Sequence, residues 1–164
     1  MATSLKNLSD FSHTQIPNGE RYKIAIVWAE WNINITKALA DGAFKTLIEN
    51  GVKEENILMH RVPGSYELPS AAQFCLNSPF EIDAVICIGV VIRGDTAHFD
   101  YICQAVTQGI KDAALMSQKP AIFGVLTVDN EQQAIDRAGG IHGNKGDEAA
   151  VSALKMLELQ HKLQ

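Results

Sequence analysis

The densest run of chemically useful side chains in this sequence is VIRGDTAHFDYI, residues 91–102. There Arg93, Asp95, Thr96, His98 and Asp100 follow directly on the apolar run IDAVICIGVVI. Gly94 leaves its neighbouring amides unhindered, Thr96 offers a hydroxyl, and His98 carries an imidazole, the side chain that exchanges protons most readily near neutral pH. Such a run could seat a small anion on backbone N–H groups with a proton carrier beside it. Three other short stretches offer complementary groups: AEWN (29–32), VPGSYE (62–67) and LTVDN (126–130). Trp31 and Tyr66 present flat apolar faces and Glu67 a carboxylate. Each residue alone also has an ordinary structural reading. Trp31 and Tyr66 could edge a core, Glu67 could sit in a first helical turn favoured by the dipole, His98 could face solvent at a helix start, and Arg93 could pair with a carboxylate near a strand end. The case rests on all four stretches together.

The elements that must position these groups are visible in the hydrophobic pattern. KIAIVWA (23–29) reads as a buried strand; in the helix that follows, Ile35, Leu39, Ala43, Leu47 and Ile48 recur at helical spacing until Gly51 stops it. The unit repeats as NILMHRV (56–62) with SYELPSAAQFCLNS, where Pro69 must occupy an early helical turn or bend it. It repeats again as IDAVICIGVVI (82–92) with FDYICQAVTQGIKDAALMSQ, and as AIFGVLTV (121–128) with NEQQAIDRA. A closing helix, GDEAAVSALKMLELQHKL, carries Ala150, Ala153, Leu154, Leu157 and Leu163 along one side. Continuous apolar strands alternating with helices predict a parallel sheet covered on both faces: an α/β protein, a three-layer α/β/α sandwich with a central four-stranded sheet. In such a sheet ligands gather beyond the carboxyl ends of the strands, where the four stretches fall. The glycine-rich GGIHGNKG (139–146) matches neither phosphate-loop pattern in register and reads as a connector between helices. Residues 1–20, with the turn signal Pro17-Asn18-Gly19, lie outside the sandwich as an N-terminal arm, leaving residues 21–164 as the domain.

Composition narrows the classes. With 164 residues, 46% of them apolar, the chain supplies one ordinary core. A formal charge of −5 disfavours partners reached by long-range attraction, nucleic acid and anionic membrane among them. No stretch is long and apolar enough to span a bilayer, and the start lacks the pattern of a signal peptide, so the expected location is cytoplasmic. Cys75, Cys87 and Cys103 are odd in number, lie in apolar surroundings and show no C-x-x-C spacing, which predicts reduced core thiols. His13, His60, His142 and His161 have no partner at metal-ligand spacing, so no metal site is expected.

VPGSYELP, GVVIRGDTAHFDYI, FGVLTVDNEQQAIDRAG and GNKGDEAA together resemble, in order, the successive motifs of the 6,7-dimethyl-8-ribityllumazine synthase family, over about Tyr22 to Leu159. The resemblance implies a flavodoxin-like form of the same sandwich. It also implies condensation of 5-amino-6-(D-ribitylamino)uracil with 3,4-dihydroxy-2-butanone 4-phosphate, releasing phosphate and water, without metal or organic cofactor. Carried over by position, it implies that Trp31 stacks on the pyrimidine, that Ser65, Tyr66 and Glu67 receive the ribityl chain, and that the backbone of Val90, Val91 and Ile92 pairs with the uracil edge. It further implies that Asp95 and Thr96 hold the phosphate and that His98 moves protons. Phe123 and Arg137 would serve the site of an adjacent subunit, with Lys145 a further cation nearby. Two departures stand out: EWN replaces the family's usual RFN, placing Glu30 where a cation is common, and Ser65 follows VPG. The implied assembly is a homo-pentamer with arms adding to adjacent sheets. Some members pair pentamers and others build icosahedral shells of sixty subunits, whose connector GGIHGNKG resembles; riboflavin synthase is an implied partner. Two other classes compete: a flavin-binding structural protein, disfavoured because His98 and Arg137 are kept, and a flavodoxin-like electron carrier, disfavoured because AEWN is no hydroxyl-rich phosphate loop.

Overall fold

The computed structural model describes residue 7, residues 9–11 and residues 15–164. Much of the expected arm, and His13, lie outside the described residues. The chain forms β1 (Ile24–Ala29), α1 (Ile33–Glu49), β2 (Ile57–Val62), α2 (Leu68–Leu76), β3 (Ala84–Ile92), α3 (His98–Ser117), β4 (Ala121–Val128), α4 (Glu131–Ile135), β5 (Ala138–Gly140), β6 (Gly143–Asn144) and α5 (Lys145–Leu163). The first four strands make one parallel sheet in the order β2-β1-β3-β4. The α/β/α sandwich read from the sequence is therefore the observed architecture.

Alternation along the buried strands divides the core in two. Ile24, Ile26, Ile86, Ile88, Leu126 and Val128 point toward α1 and α5 and meet Leu39, Leu47, Leu154 and Leu157. Ala25, Val27, Val85, Cys87 and Val125 point the other way and meet Leu68, Ala72, Leu76, Val106 and Ile110 from α2 and α3. Gly51 stops α1 as expected: at φ 91° its N–H donates to the Ile48 carbonyl at 3.0 Å while the Val52 N–H reaches back to Leu47 at 3.1 Å, a Schellman closure. Pro69 sits in the first turn of α2, where its missing N–H has no partner to lose.

Three expectations need correction. Ile48 is 38% exposed because it lies at the rim of the apolar stripe of α1, and Leu163 is 79% exposed because it ends α5 about half a turn round from Leu154. Of the three free cysteines only Cys87 is buried; Cys75 and Cys103 are partly exposed on helices. GGIHGNKG is not a bare connector: it folds into the antiparallel pair β5–β6, since Gly139 (φ 105°) and Gly143 (φ 77°) supply the left-handed turns of a tight hairpin. The described part of the arm touches its own chain, the Ser9 hydroxyl donating to Asp147 at 2.5 Å and accepting from the Asn144 N–H at 2.9 Å.

Candidate active site

The strand order reverses direction beside β1: the chain steps from β1 to β2 on one side, then crosses to β3 on the other. At such a switch point the connections leaving adjacent strands diverge and open a crevice at the carboxyl ends. The register makes that crevice specific. β3 pairs with β1 only as far as Trp28↔Ile88, but with β4 as far as Ile92↔Val128. Gly89–Ile92 thus overhang β1, and their flank on that side lacks a neighbouring strand. Val90 is buried there, with Val91 and Ile92 half-buried.

Trp31 stands at one wall of this opening. Pairing between the exits of β1 and β2 continues beyond the strands, the Glu30 N–H donating to the Val62 carbonyl at 2.8 Å and the Trp31 N–H to Pro63 at 3.1 Å. Asn32 then takes the left-handed conformation, φ 59°, which asparagine tolerates better than most residues, and turns the chain into α1. The buried Thr36 hydroxyl donates to the Ala29 carbonyl at 2.6 Å and locks helix to strand. The indole is left 68% exposed. It lies so close over Gly64 that a Cβ at that position would come within 2.8 Å of Trp31 Cε3. Glu30, the departure beside it, faces Arg61 of β2 at 3.9 Å.

The second wall is the turn Ser65–Glu67. The buried Ser65 hydroxyl donates to the Val90 carbonyl at 3.1 Å and ties the turn to the overhanging flank of β3. One oxygen of Glu67 accepts the Gly64 N–H at 3.0 Å, leaving the other for a ligand. Tyr66 is 59% exposed beside them. The floor's far end is the loop leaving β3. Asp95, Thr96 and His98 are all exposed; His98 is the first residue of α3, and its N–H reaches the Thr96 hydroxyl at 3.4 Å. Space around Gly94 is open. The structure thus brings Trp31, Ser65, Tyr66, Glu67, Val90, Val91, Ile92, Asp95, Thr96 and His98 to one shelf. Such a shelf can stack a flat ring on the indole, pair its edge with backbone, seat an anion on the loop amides and exchange protons at the imidazole.

Three expected site residues are not on that shelf in the same chain. Phe123 is the third residue of β4, five residues short of Val128, or about 16 Å along a strand from the exits. It lines a concavity of about 310 Å³ with Ile110, Ala114 and Leu115 on the α3 side. Arg137 follows α4 and donates from its guanidinium to the Gln133 carbonyl at 2.9 Å. Lys145 opens α5 with its ammonium 2.7 Å from Glu148. Among the described residues no hydrogen bond or ion pair joins Phe123, Arg137 or Lys145 to Trp31, Thr96 or His98. Another concavity, of about 380 Å³, is apolar and lies at the other end of the sheet, between Leu115 of α3 and Met156, Leu159 and Leu163 of α5.

Sequence reasoning missed two residues that build the shelf. Thr36 looks like an ordinary helical position; only its distance from Ala29 gives it a role. Gly64 reads as a turn glycine, and only the indole lying on it shows that the absent side chain is what matters. Arg93, read as pairing with a carboxylate, pairs with two: its guanidinium donates to Asp129 at 3.1 Å and to Asp100 at 3.3 Å and lies 4.0 Å over the Phe99 ring. These carboxylates raise its pKa further, Asp129 first. Among the described residues no group of three or more His, Cys, Asp or Glu could hold a metal ion, and no helix is long and apolar enough to cross a membrane.

The family model of 6,7-dimethyl-8-ribityllumazine synthase matches residues 21–161. A 6,7-dimethyl-8-ribityllumazine synthase of Parabacteroides distasonis is 54% identical over 157 residues, 96% of this chain and 98% of that protein. One of Porphyromonas gingivalis is 54% identical over 160 residues, 98% of this chain and 99% of that protein. One of Phocaeicola vulgatus is 49% identical over 164 residues, the whole of this chain and 97% of that protein.

Proposed function

The chain belongs to the 6,7-dimethyl-8-ribityllumazine synthase family, and from that premise we propose how its shelf performs the family's reaction. The protein condenses 5-amino-6-(D-ribitylamino)uracil with 3,4-dihydroxy-2-butanone 4-phosphate to 6,7-dimethyl-8-ribityllumazine, the penultimate step of riboflavin biosynthesis. The observation that carries this reading is the overhang of β3 beyond β1, flanked by an exposed indole on one side and the Asp95–His98 loop on the other. A uracil can stack on Trp31 and pair its edge with the flank of Val90–Ile92 that has no neighbouring strand, while the ribityl hydroxyls meet Tyr66, Ser65 and the free oxygen of Glu67. The phosphate sits against the N–H groups and hydroxyl of Asp95 and Thr96 at the start of α3, where the helix dipole favours an anion.

Every stage of the condensation moves a proton: amine addition to the ketone, loss of water to the imine, departure of phosphate, tautomerisation of the enol and closure of the ring. His98, exposed at the phosphate end of the shelf, is the group that accepts and returns these protons. Holding two bound molecules together supplies much of the remaining acceleration, on the order of several kcal/mol in favourable cases.

Phe123 and Arg137 complete the site of a neighbouring copy. Support for this comes from their placement: Phe123 sits on an edge strand well below its own shelf, and Arg137 has no bond to its own Thr96 or His98. An arginine fork offered across the boundary would grip the phosphate, and Lys145, bound to Glu148, would add charge nearby. The functional unit is then a homo-pentamer or a multiple of one, in the cytoplasm, with residues 1–20 as an arm contributing to assembly and riboflavin synthase as a partner that consumes the product. Mixing purified protein with both substrates tests the reading. Lumazine fluorescence should rise together with free phosphate; phosphate release without lumazine, or neither, would refute it.

A further inference from the structure

Arg93 is neither on the shelf wall nor in a strand core, yet it gathers partners from α3 and from the end of β4 and the turn after it. Its N–H extends the β3–β4 ladder to the Val128 carbonyl at 2.9 Å. Its guanidinium then spans from Asp129, just past β4, to Asp100 in the first turn of α3, with its carbon 4.0 Å over the ring of Phe99. Phe99 and Asp100 are the two residues after His98. Each of the two ion pairs is roughly half exposed, and pairs of that kind add little to stability. Geometry is what they can fix, since a planar guanidinium bridging two carboxylates and stacked on an aromatic face holds all three in one arrangement. His98 itself has no side-chain hydrogen bond among the described residues, so its direction is set by the helix turn that carries it.

We propose that Arg93 is a positioning residue: by clamping Phe99 and Asp100 of α3 to Asp129 just past β4, it aims the His98 imidazole at the reacting centre. The inference rests on the function proposed above. Lysine cannot replace the arginine fully, because an ammonium is a point charge that cannot both bridge the two carboxylates and stack flat on the ring.

The test is a double-mutant cycle in steady-state turnover of both substrates, with unfolding midpoints measured alongside. Arg93→Gln should fold and assemble, and its kcat should fall on the order of ten- to a hundredfold, the scale of a misplacement near 1 Å. Arg93→Lys should recover only part of that loss. Asp129→Asn, which breaks the same clamp from the β4 side and leaves Arg93 in place, should lower kcat in the same sense and keeps the test valid if Arg93→Gln folds badly. In a His98→Ala background Arg93→Gln should cost little further, whereas a merely structural residue would slow both backgrounds by the same factor. Equal slowing in both, or unaltered kcat in Arg93→Gln and Asp129→Asn, overturns the inference alone. Absence of lumazine with the unaltered chain overturns it together with the functional reading.

Discussion

At the scale of the residue, the site separates groups that act by chemistry from groups that act by shape. His98→Ala removes the proton carrier but leaves both substrates held, so turnover should drop by ~10²–10⁴-fold without vanishing; full turnover in that variant would show the imidazole to be idle. Arg137→Ala should act chiefly through the KM for the phosphorylated substrate, and an unchanged KM would remove Arg137 from the phosphate seat. Gly64 acts by shape. A methyl group there would meet the Trp31 ring at 2.8 Å, closer than carbon atoms approach, so either the indole or the turn must shift. Gly64→Ala should therefore weaken product binding by about tenfold, or ~1.4 kcal/mol, as read by titration of lumazine fluorescence.

Elements hold these residues in place through a few bonds between an exit and the helix after it. The Thr36 hydroxyl on the Ala29 carbonyl is one such bond, fully buried, between the end of β1 and the first turns of α1. Thr36→Val keeps the shape and deletes the donor, leaving a buried carbonyl short of a partner at a cost of about 1–3 kcal/mol. Denaturant unfolding should show that loss, and the KM for the pyrimidine should rise as the Trp31 turn loosens; an unchanged unfolding curve would show that Ala29 finds another donor. Ser65 plays the matching part for the second wall through Val90. The hairpin β5–β6 is the element that sequence patterning did not reveal, because two strands this short carry no hydrophobic alternation and are made by glycine backbone alone.

The whole molecule has an alkaline pH dependence written into its core. Burial, and to a lesser degree the neighbouring Cys75, pushes the Cys87 thiol far above the ordinary thiol range; burial likewise raises Cys75 and Cys103. The folded state therefore keeps protons that the unfolded chain releases above about pH 8.5. Stability is whole below that value and falls as pH rises beyond it, with a limiting slope of about 1.4 kcal/mol per pH unit for the buried Cys87 thiol and less from the part-exposed Cys75 and Cys103. Unfolding free energies measured from neutral into alkaline solution should show this decline, shallower in Cys87→Ala; an identical slope in that variant would assign it to other groups.

Periodicity and strand composition alone determined the α/β sandwich, the residue ranges of its four main strands and the placement of the candidate residues at strand exits, because burial on both faces of a parallel sheet demands continuous apolar runs and helical crossovers. Trp31, Tyr66, Glu67, Thr96 and His98 were legible for the same reason, since an exit loop with Gly, Thr and His has little to gain from packing, whereas Ser65 and the backbone of Val90–Ile92 entered only through the resemblance to the family. Tertiary structure alone decided the strand order, the overhang of β3 past β1 and the indole resting on Gly64. Those depend on distances between segments remote in the chain, which local pattern does not encode. Which neighbour lies across an edge, and how far one strand outruns another, is settled only when the whole core packs.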